Sequence, residues 1–245
     1  MAGSFYVGTS GWSYPNWRDT FYRGVPRRRW LAHCADHFTA VEVNATFYGR
    51  QRPETLARWA AETPPAFRFA IKANRYLTHV RRLAGIEAGV AAERDHAAPL
   101  GEKLAAVLWQ LPASLHRDDD RLLALCRALA AWPAVRHAVE MRHRSWFCDP
   151  VARLLADHRV AVCQSDAGGW PLWDAVTTDL VYLRLHGRPR TYRDSYSEEA
   201  LAAWAARIRG WLAEGRDVHC YFDNDAEGAA PANALRLMEL VSGRG

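Results

Sequence analysis

Eight short apolar runs, separated for the most part by stretches with helical spacing, constrain the fold of this chain more than any other feature. The runs are rich in β-branched and aromatic residues, and most are apolar throughout, which is typical of strands buried on both faces of a parallel sheet. They are Phe5–Thr9, Ala40–Asn44, Phe67–Lys72, Ala105–Leu111, His137–Met141, Val160–Ser165, Leu180–Leu185 and Val218–Phe222. Strands of this kind require helices that cover the outside of the sheet.

The helices between these runs are recognisable from their caps and apolar spacing. Ser197 is a typical N-cap, Leu201 and Trp204 share one face of the helix that follows, and Gly215 is a typical stop. Segment 166–179 is rich in glycine and tryptophan but has no clean helical spacing. We therefore expect one irregular connection in the chain.

Eight strand–helix units in 245 residues match the size of an eight-stranded parallel (β/α)8 TIM barrel, a fold of the α/β class. A doubly wound open sheet is the alternative. It is disfavoured because Gly8-Thr9-Ser10-Gly11, after the first run, lacks the spacing of a dinucleotide-binding turn. Since no Pro/Ser-rich linker divides the chain, we predict a single domain over residues 1–245.

Composition excludes several other classes of protein. An apolar content of 49% is ordinary for a globular chain, and no apolar run approaches the roughly 20 residues of a membrane helix. Residues 1–4 lead into the first run without the basic segment of a secretion signal. The five cysteines are scattered and include no CxxC pair, which argues against a disulfide framework and a structural zinc site. We expect a cytoplasmic protein with no membrane partner, while the oligomeric state stays open.

Polar residues cluster at the carboxyl ends of the predicted strands, whereas the amino ends are mostly apolar. They are Ser10, Glu42, Asn44, Lys72, Gln110, Glu140, Arg142, Asp166, Arg184, His186, Asp223 and Asn224. In a TIM barrel these ends share one mouth, which is where active sites lie. A polar residue at the end of one strand is ordinary, but several charges that begin inside apolar strands are costly to bury without partners. The set therefore predicts a convergent polar site.

The motifs at these strand ends also resemble a known family. In order, they are Gly8-Thr9-Ser10-Gly11-Trp12, Val41-Glu42-Val43-Asn44, Leu108-Trp109-Gln110-Leu111-Pro112, Glu140-x-Arg142-x-x-Ser145-Trp146, Arg184-x-His186-Gly187 and Tyr221-Phe222-Asp223-Asn224. This pattern resembles the DUF72 (YecE-like) family over nearly the whole chain, which implies a TIM barrel and a cytoplasmic location but no established reaction. Two places depart from the family pattern: Asp225 stands where an asparagine is expected, and residues 168–173 form an unusual segment that could be a lid.

Lys72 is conspicuous because Lys72 and Lys103 are the only lysines among 32 basic residues of the lysine and arginine types. A lysine at a buried strand end supplies a compact amine whose pKa is readily shifted. It could act as a Schiff-base nucleophile, as a general base or as a point charge on an anion. The structural alternative is an ion pair with Glu42 or Glu140.

Four further residues complete the catalytic candidates. Glu42 and Glu140 come from different strands and could flank a central ligand as acid and base, and Asp166 and His186 add to the acid/base inventory. Together with Asp223, these residues could also form a carboxylate-rich site for a divalent metal. No HxxxH or HExxH pattern supports that site, so the metal and any cofactor remain unassigned.

Arginines and aromatic residues follow several of the predicted strands and point to a ligand at the mouth. The net charge is only +5 with a pI near 9.1, but arginines cluster after the first, third and seventh runs, where Arg188 and Arg184 suit a phosphate. The expected ligand-binding residues are Ser10, Trp12, Asn44, Tyr48, Gln110, Arg142, Trp146, Arg184, Arg188, Asp223 and Asn224. Trp170 and Trp173 are also expected near the mouth.

Three function classes follow. The leading hypothesis is an enzyme that acts on a small anionic substrate, phosphorylated or carboxylated and sugar-like, through Glu42, Lys72 and Glu140. The alternative is a nucleic-acid-binding or nucleic-acid-processing protein that uses its basic, aromatic loops. A third class is a regulatory barrel that binds a metabolite without chemistry.

Overall fold

The computed structural model describes residues 2–243 and contains one eight-stranded parallel sheet. The strands are β1 Phe5–Thr9, β2 Ala40–Val43, β3 Arg68–Lys72, β4 Leu104–Gln110, β5 Arg136–Glu140, β6 Val160–Asp166, β7 Leu180–Leu185 and β8 Asp217–Phe222. Each predicted run coincides with a strand to within one residue at either end. The order β1-β8-β7-β6-β5-β4-β3-β2 makes a nearly closed (β/α)8 TIM barrel, which confirms the predicted fold.

The sheet closes between β1 and β2 at the mouth end of the barrel. Ser10 and Glu42 form an isolated parallel bridge there, and the amide of Gly11 donates to the Glu42 carbonyl at 2.7 Å. Gly8 is required at this seam because a Cβ on it would lie 1.9 Å from the Ala40 carbonyl oxygen. The seam therefore joins the first two strand ends in a fixed register.

Eight α-helices flank the sheet. They are α1 Trp30–His37, α2 Ala45–Tyr48, α3 Pro53–Ala61, α4 Ile86–Ala97, α5 Asp119–Leu129, α6 Asp149–Asp157, α7 Glu198–Ala213 and α8 Ala229–Ser242. The predicted caps Asp118 and Ser197 each accept a hydrogen bond from the backbone N–H three residues on. None of the helices within residues 2–243 is long and apolar enough to cross a membrane.

The connection between β6 and β7 contains no helix among the described residues, as expected for segment 166–179. Its start packs tightly on the loop after β7, because a Cβ at Gly168 would lie 1.7 Å from the Pro189 carbonyl oxygen. The Thr191 hydroxyl also donates to the Gly168 carbonyl at 2.9 Å. These contacts couple two loops at the mouth.

The barrel interior consists of an apolar layer below a polar one. Small residues such as Ala70, Ala106 and Ala138 fill one side of the lower layer, and Tyr182 and Tyr221 fill the other. Side chains alternate along a strand, so residues two positions further on also point into the barrel. Those positions hold the upper polar layer, which includes Glu42, Lys72, Glu140, Arg184 and Asp223.

Candidate active site

Arg184 is the centre of the polar layer and is only 1% exposed. Its guanidinium donates to Glu42 (2.9 and 3.1 Å), to Glu140 (3.1 Å) and to Asp223 (2.8 Å), and it also contacts Ser10 and the His186 imidazole. All five N–H groups of the arginine therefore have partners within the protein. We refer to Arg184 with Glu42, Glu140 and Asp223 as the Arg184 network.

The carboxylates of the network are also bound by other groups. Glu42 accepts from the Tyr182 hydroxyl at 2.6 Å and from Ser10, and Glu140 accepts from the Ser165 hydroxyl at 2.9 Å and from Arg142. Such donors stabilise the ionised form of a carboxyl group. The network is thus a set of buried charges that satisfy one another.

The pKa values within the network follow from these contacts. Burial opposes ionisation of Glu140, but the Arg142 and Arg184 cations outweigh it and hold its pKa well below the usual range. Burial is likewise outweighed at Asp223, where Arg184 and His186 lower the pKa to about 2. Both groups stay ionised at neutral pH, so neither is poised to exchange a proton there.

The prediction that Glu42 and Glu140 flank a ligand as an acid/base pair is not supported by this geometry. The space between them is occupied by the Arg184 guanidinium, and both carboxylates are fully buried. Arg184 itself has no donor left for a ligand, so its expected ligand-binding role is also corrected. A buried arginine and carboxylates compensate one another here, which is the usual condition for burying such charges.

Lys72 differs from every other charge in the polar layer. Its side chain is buried, with 8% of the residue exposed, yet its amine has no hydrogen bond and no carboxylate within 4.0 Å among residues 2–243. The amine lies instead over the Phe47 ring, 4.1 Å from the centroid. Burial and the nearby Arg184 charge lower its pKa from 10.5 to about 8. The structural alternative for this residue, an ion pair with Glu42 or Glu140, is therefore not formed among the described residues.

Further basic side chains accompany Lys72 on this side of the mouth. Burial lowers the pKa of the His79 imidazole, and the charges of Lys72, Arg75 and Arg142 lower it further. Arg75 is exposed and has no ion-pair or hydrogen-bond partner in the described part of the chain. We refer to Lys72, Arg75, His79 and Arg142 as the cationic group. Among the described residues, Lys72 and Arg75 offer an incoming anion positive charge without a carboxylate partner, whereas Arg142 is paired with Glu140.

The segment after β6 covers part of the mouth. The Trp170 ring stacks on the Arg142 guanidinium at 3.6 Å and meets the His186 ring edge-on with centroids 4.8 Å apart. Tyr192, which has a left-handed backbone (φ 69°), packs against both Trp170 and His186. A bulky residue in this conformation is strained, a feature that clusters at functional sites. Trp170 thus covers Arg142 and His186 at the mouth.

His186 is fully buried beneath this cover. Its Nδ1 lies 3.0 Å from an Asp223 carboxylate oxygen, and burial together with the Arg184 charge lowers its pKa. The imidazole is therefore neutral at pH 7 and is shielded from solvent. Asp166 is also buried and forms an ion pair with Arg188, whose side chain is half exposed.

The structure buries two further predicted ligand-binding residues, Trp146 and Asn224, inside the protein. Trp146 is fully buried and donates its indole N–H to the Leu115 carbonyl at 2.8 Å, so it belongs to the core. Asn224 is also buried and donates to the Asp194 carbonyl and to Asn233, which fixes the loop after β8. The sequence predicts both residues at the mouth because both positions follow strands.

The arginine clusters contribute less positive field than their number indicates. After β7, Arg188 pairs with Asp166, and Arg190 pairs with Asp194 at 2.6 Å. Surface pairs of this kind neutralise one another locally. The arginines after β7 therefore add little unpaired positive charge to the mouth.

An aromatic cavity of about 440 Å³ lies between the loops after β1 and β2, beside the Arg184 network. It is lined by Gly11, Trp12, Ser13, Tyr14, Val43, Asn44, Ala45, Tyr48 and Trp59. Trp12 and Trp59 meet edge to face at 4.9 Å, and Tyr48 is 73% exposed. Asn44 joins this cavity to the network, since its amide nitrogen donates to the Ser10 hydroxyl at 2.6 Å.

Several site residues were not recognised from the sequence. Tyr182 and Ser165 hold the carboxylates of the network, and His79 belongs to the cationic group. Tyr182 lies two positions before Arg184 on β7, and Ser165 lies two positions after Cys163, an interior residue of β6, so period-two spacing could have identified both. His79 lies in a π-helix, Tyr76–Val80, for which the sequence offers no comparable signal, whereas Arg75 belongs to the arginines that cluster after the third run.

A divalent-metal site is not formed by the acidic residues in this arrangement. No group of three or more histidine, cysteine, aspartate or glutamate side chains converges in metal-binding geometry within residues 2–243. The candidate ligands Glu42, Glu140 and Asp223 direct their oxygens at Arg184 instead.

Comparison with known proteins agrees with this fold and these motifs. The family model described as a protein of unknown function, DUF72, matches residues 6–245. The chain belongs to the DUF72 family. It is 25% identical to the UPF0759 protein YunF of Bacillus subtilis, over 96% of this chain and 94% of YunF.

Two further similarities place the chain within DUF72. The UPF0759 protein YecE of Escherichia coli K12 is 31% identical over 58% of this chain and 50% of YecE. The crystal structure of a DUF72 family protein from Thermotoga maritima superimposes with a TM-score of 0.87 at 26% identity, covering 98% of this chain and 99% of that one. The barrel is therefore shared along the whole length of a family member.

Proposed function

We propose that this protein is an enzyme that performs acid/base chemistry on a small anionic, sugar-like substrate at the barrel mouth. The observation that supports this most strongly is the Lys72 amine, which is buried without an ion-pair partner in a layer where other charges are paired. A pKa near 8 lets an amine exchange protons close to neutral pH. Burying such a group lowers stability, so it is typical of a functional site.

In this proposal the cationic group binds the anion. Arg75 and Arg142 attract the phosphate or carboxylate of the substrate, and Trp170 holds the Arg142 guanidinium flat. The neutral Lys72 amine then accepts a proton from the substrate, while the protonated amine returns it. Glu42 and Glu140 serve as positioning residues because they hold Arg184 and Arg142 in place.

A thermal-shift panel tests the proposal. Sugar phosphates, sugar acids and nucleotides, each with and without divalent metals, are screened against the wild type, Lys72→Met, Glu140→Gln and the matched control Lys103→Met. We expect at least one anion to raise the Tm of the wild type and of Lys103→Met but not of the two site variants. No response of the wild type to any anion in the panel contradicts the proposal.

The pH dependence of binding tests the assignment of Lys72 directly. An anion is attracted by the protonated amine, so its affinity falls as the pH rises through about 8. We expect this fall in titration calorimetry of the wild type and its absence in Lys72→Met. An identical pH profile in both proteins would exclude Lys72 from the anion site.

Nucleic-acid binding is a second candidate, and the distribution of exposed apolar side chains favours it. The large hydrophobic residues exposed in the described chain all lie in the segments that follow β2, β3, β6 and β7: Tyr48, Tyr76, Val80, Leu172 and Tyr192. Bases could stack on such a rim. The logarithm of the duplex affinity should then fall by about 0.9 per log unit of salt for each phosphate contacted. Salt-insensitive or absent binding removes this candidate.

A further inference from the structure

The aromatic cavity differs from the adjoining polar layer because none of its nine lining residues carries a charge. Its walls are provided by aromatic rings, among them those of Trp12, Tyr14 and Trp59. The two sites are close to each other through α2. Phe47 lies under the Lys72 amine, and its ring meets the ring of Tyr48, which lines the cavity, at 5.1 Å between centroids. A ligand with an anionic part and a neutral part therefore matches the two sites together.

The amide of Asn44 has an unused acceptor at this junction. The Ser10 hydroxyl donates its single proton to Glu42, so it can only accept from Asn44, and the Asn44 amide must turn its nitrogen toward Ser10. This orientation leaves the buried Oδ1 of Asn44 without a hydrogen-bond partner in the described chain. A buried acceptor without a donor is unfavourable, and a ligand N–H group would supply the missing hydrogen bond once the Asn44 side chain turns toward the cavity.

The remaining polar groups of the cavity are few. The Tyr14 hydroxyl already donates to the Ser10 carbonyl at 2.6 Å, and the Ser13 hydroxyl accepts from Arg27 at 3.2 Å. A sugar ring in this cavity would lose hydrogen bonds from several hydroxyl groups without replacement. A flat ring with a single N–H group directed at Asn44 would lose few hydrogen bonds to water and would gain stacking contacts with the aromatic walls.

We propose that the aromatic cavity binds a flat heteroaromatic ring with an N–H donor. The substrate class is then a nucleoside phosphate: its base lies in the cavity and its phosphate lies at the cationic group. The phosphate half of this inference rests on the proposed function, while the ring half rests on the cavity. The free Asn44 acceptor and the absence of charge among the lining residues select the ring.

Titration calorimetry with the full-length protein tests this inference. The probes are the four common ribonucleoside monophosphates, ribose 5-phosphate, a hexose phosphate and the free nucleosides. We expect at least one nucleoside monophosphate to bind ten times more tightly than ribose 5-phosphate, which has the same phosphate and sugar but no base.

A substitution at the cavity provides the second measurement. Ala45 is exposed at the start of α2 and lines the cavity, so Ala45→Trp fills it without disturbing the core. We expect this variant to bind nucleotides no more tightly than ribose 5-phosphate, with the ribose 5-phosphate affinity unchanged. The matched control Ala45→Ser should retain the wild-type preference.

The possible outcomes separate the two proposals. Ribose 5-phosphate binding as tightly as every nucleotide overturns the inference and leaves the proposed function standing. A preference for the hexose phosphate that Ala45→Trp abolishes also overturns it, since the cavity then holds a sugar. If the free nucleosides bind as tightly as the nucleoside monophosphates and Ala45→Trp abolishes this binding, the result supports the ring subsite and contradicts the anion site. Binding of none of the probes overturns both.

Discussion

The two sides of the barrel mouth use charge in opposite ways. In the Arg184 network every donor of the arginine meets a partner, and Glu140 and Asp223 are held ionised. In the cationic group, the Lys72 amine and the exposed Arg75 have no carboxylate partner in the described structure. Paired charges fix a geometry and are insensitive to pH near neutrality. The unpaired charges beside them remain able to bind an anion and to exchange a proton, which places the candidate chemistry at Lys72.

The largest expected effect comes from removing the centre of the network. Arg184→Met leaves Glu42, Glu140 and Asp223 buried without a common counter-charge, which should lower the free energy of unfolding by about 3–5 kcal/mol. Urea denaturation measures this change in the free energy of unfolding. If this variant does not fold, Arg184→Lys, which keeps the charge but not the five-donor geometry, should still fold with reduced stability. A wild-type midpoint for either variant would mean that the network does not hold the mouth together.

Replacing Lys72 should raise the stability of the fold, whereas replacing Arg184 should lower it. Its pKa is lower in the folded than in the unfolded chain, so at pH 7 the charged amine destabilises the fold. Lys72→Met should raise the free energy of unfolding by about 2–3 kcal/mol. The native chain releases this proton near pH 8 and the unfolded chain near 10.5, so the gain should shrink across that interval.

Lys103 is the matched control for this effect. Its amine donates to the carbonyls of Ala60 and Thr63, both at 2.5 Å, so Lys103→Met should instead lose about 1–2 kcal/mol. Stability measured in urea from pH 6 to 10 compares the two variants. A loss of stability in Lys72→Met would show that its charge is compensated after all.

An acid titration should show that the Arg184 network contributes less to the free energy of unfolding at low pH. Asp223 has a depressed pKa, near 2 against an ordinary 3.8, so its ionised form contributes roughly 2 kcal/mol above pH 4. This contribution is lost as the pH falls from about 4 to 2. Asp223→Asn should flatten the pH dependence of unfolding in that range, whereas Asp179→Asn, at an exposed ion pair, should leave it unchanged.

The smallest expected effect concerns the exposed member of the cationic group. Arg75→Gln should weaken binding of an anion three- to tenfold by removing one unpaired charge, with a change in stability below about 0.5 kcal/mol. Arg153→Gln on the outer face of α6 is the control for net charge alone. Equal weakening in both variants would assign the effect to net charge rather than to this site.

The architecture can be predicted from the strand pattern, because burial on both faces of a parallel strand imposes a continuous apolar run that is visible without coordinates. The strand pattern also located the polar layer, since the carboxyl ends of parallel strands must meet at one mouth. Lys72 was recognisable from composition, and Ser197 and Asp118 were recognisable as caps because capping depends on local residues alone.

Which of these charges are partners depends on contacts that form in the folded barrel. The contact between Arg184 and Glu42 joins residues 142 positions apart, and no local pattern encodes whether a guanidinium or open space lies between two carboxylates. The same holds for Trp146, whose position after β5 is compatible with the mouth and whose actual place is the core. Pairing and burial depend on the sum of distant contacts, so the roles of Arg184 and Lys72 were separated by the fold and not by residue type.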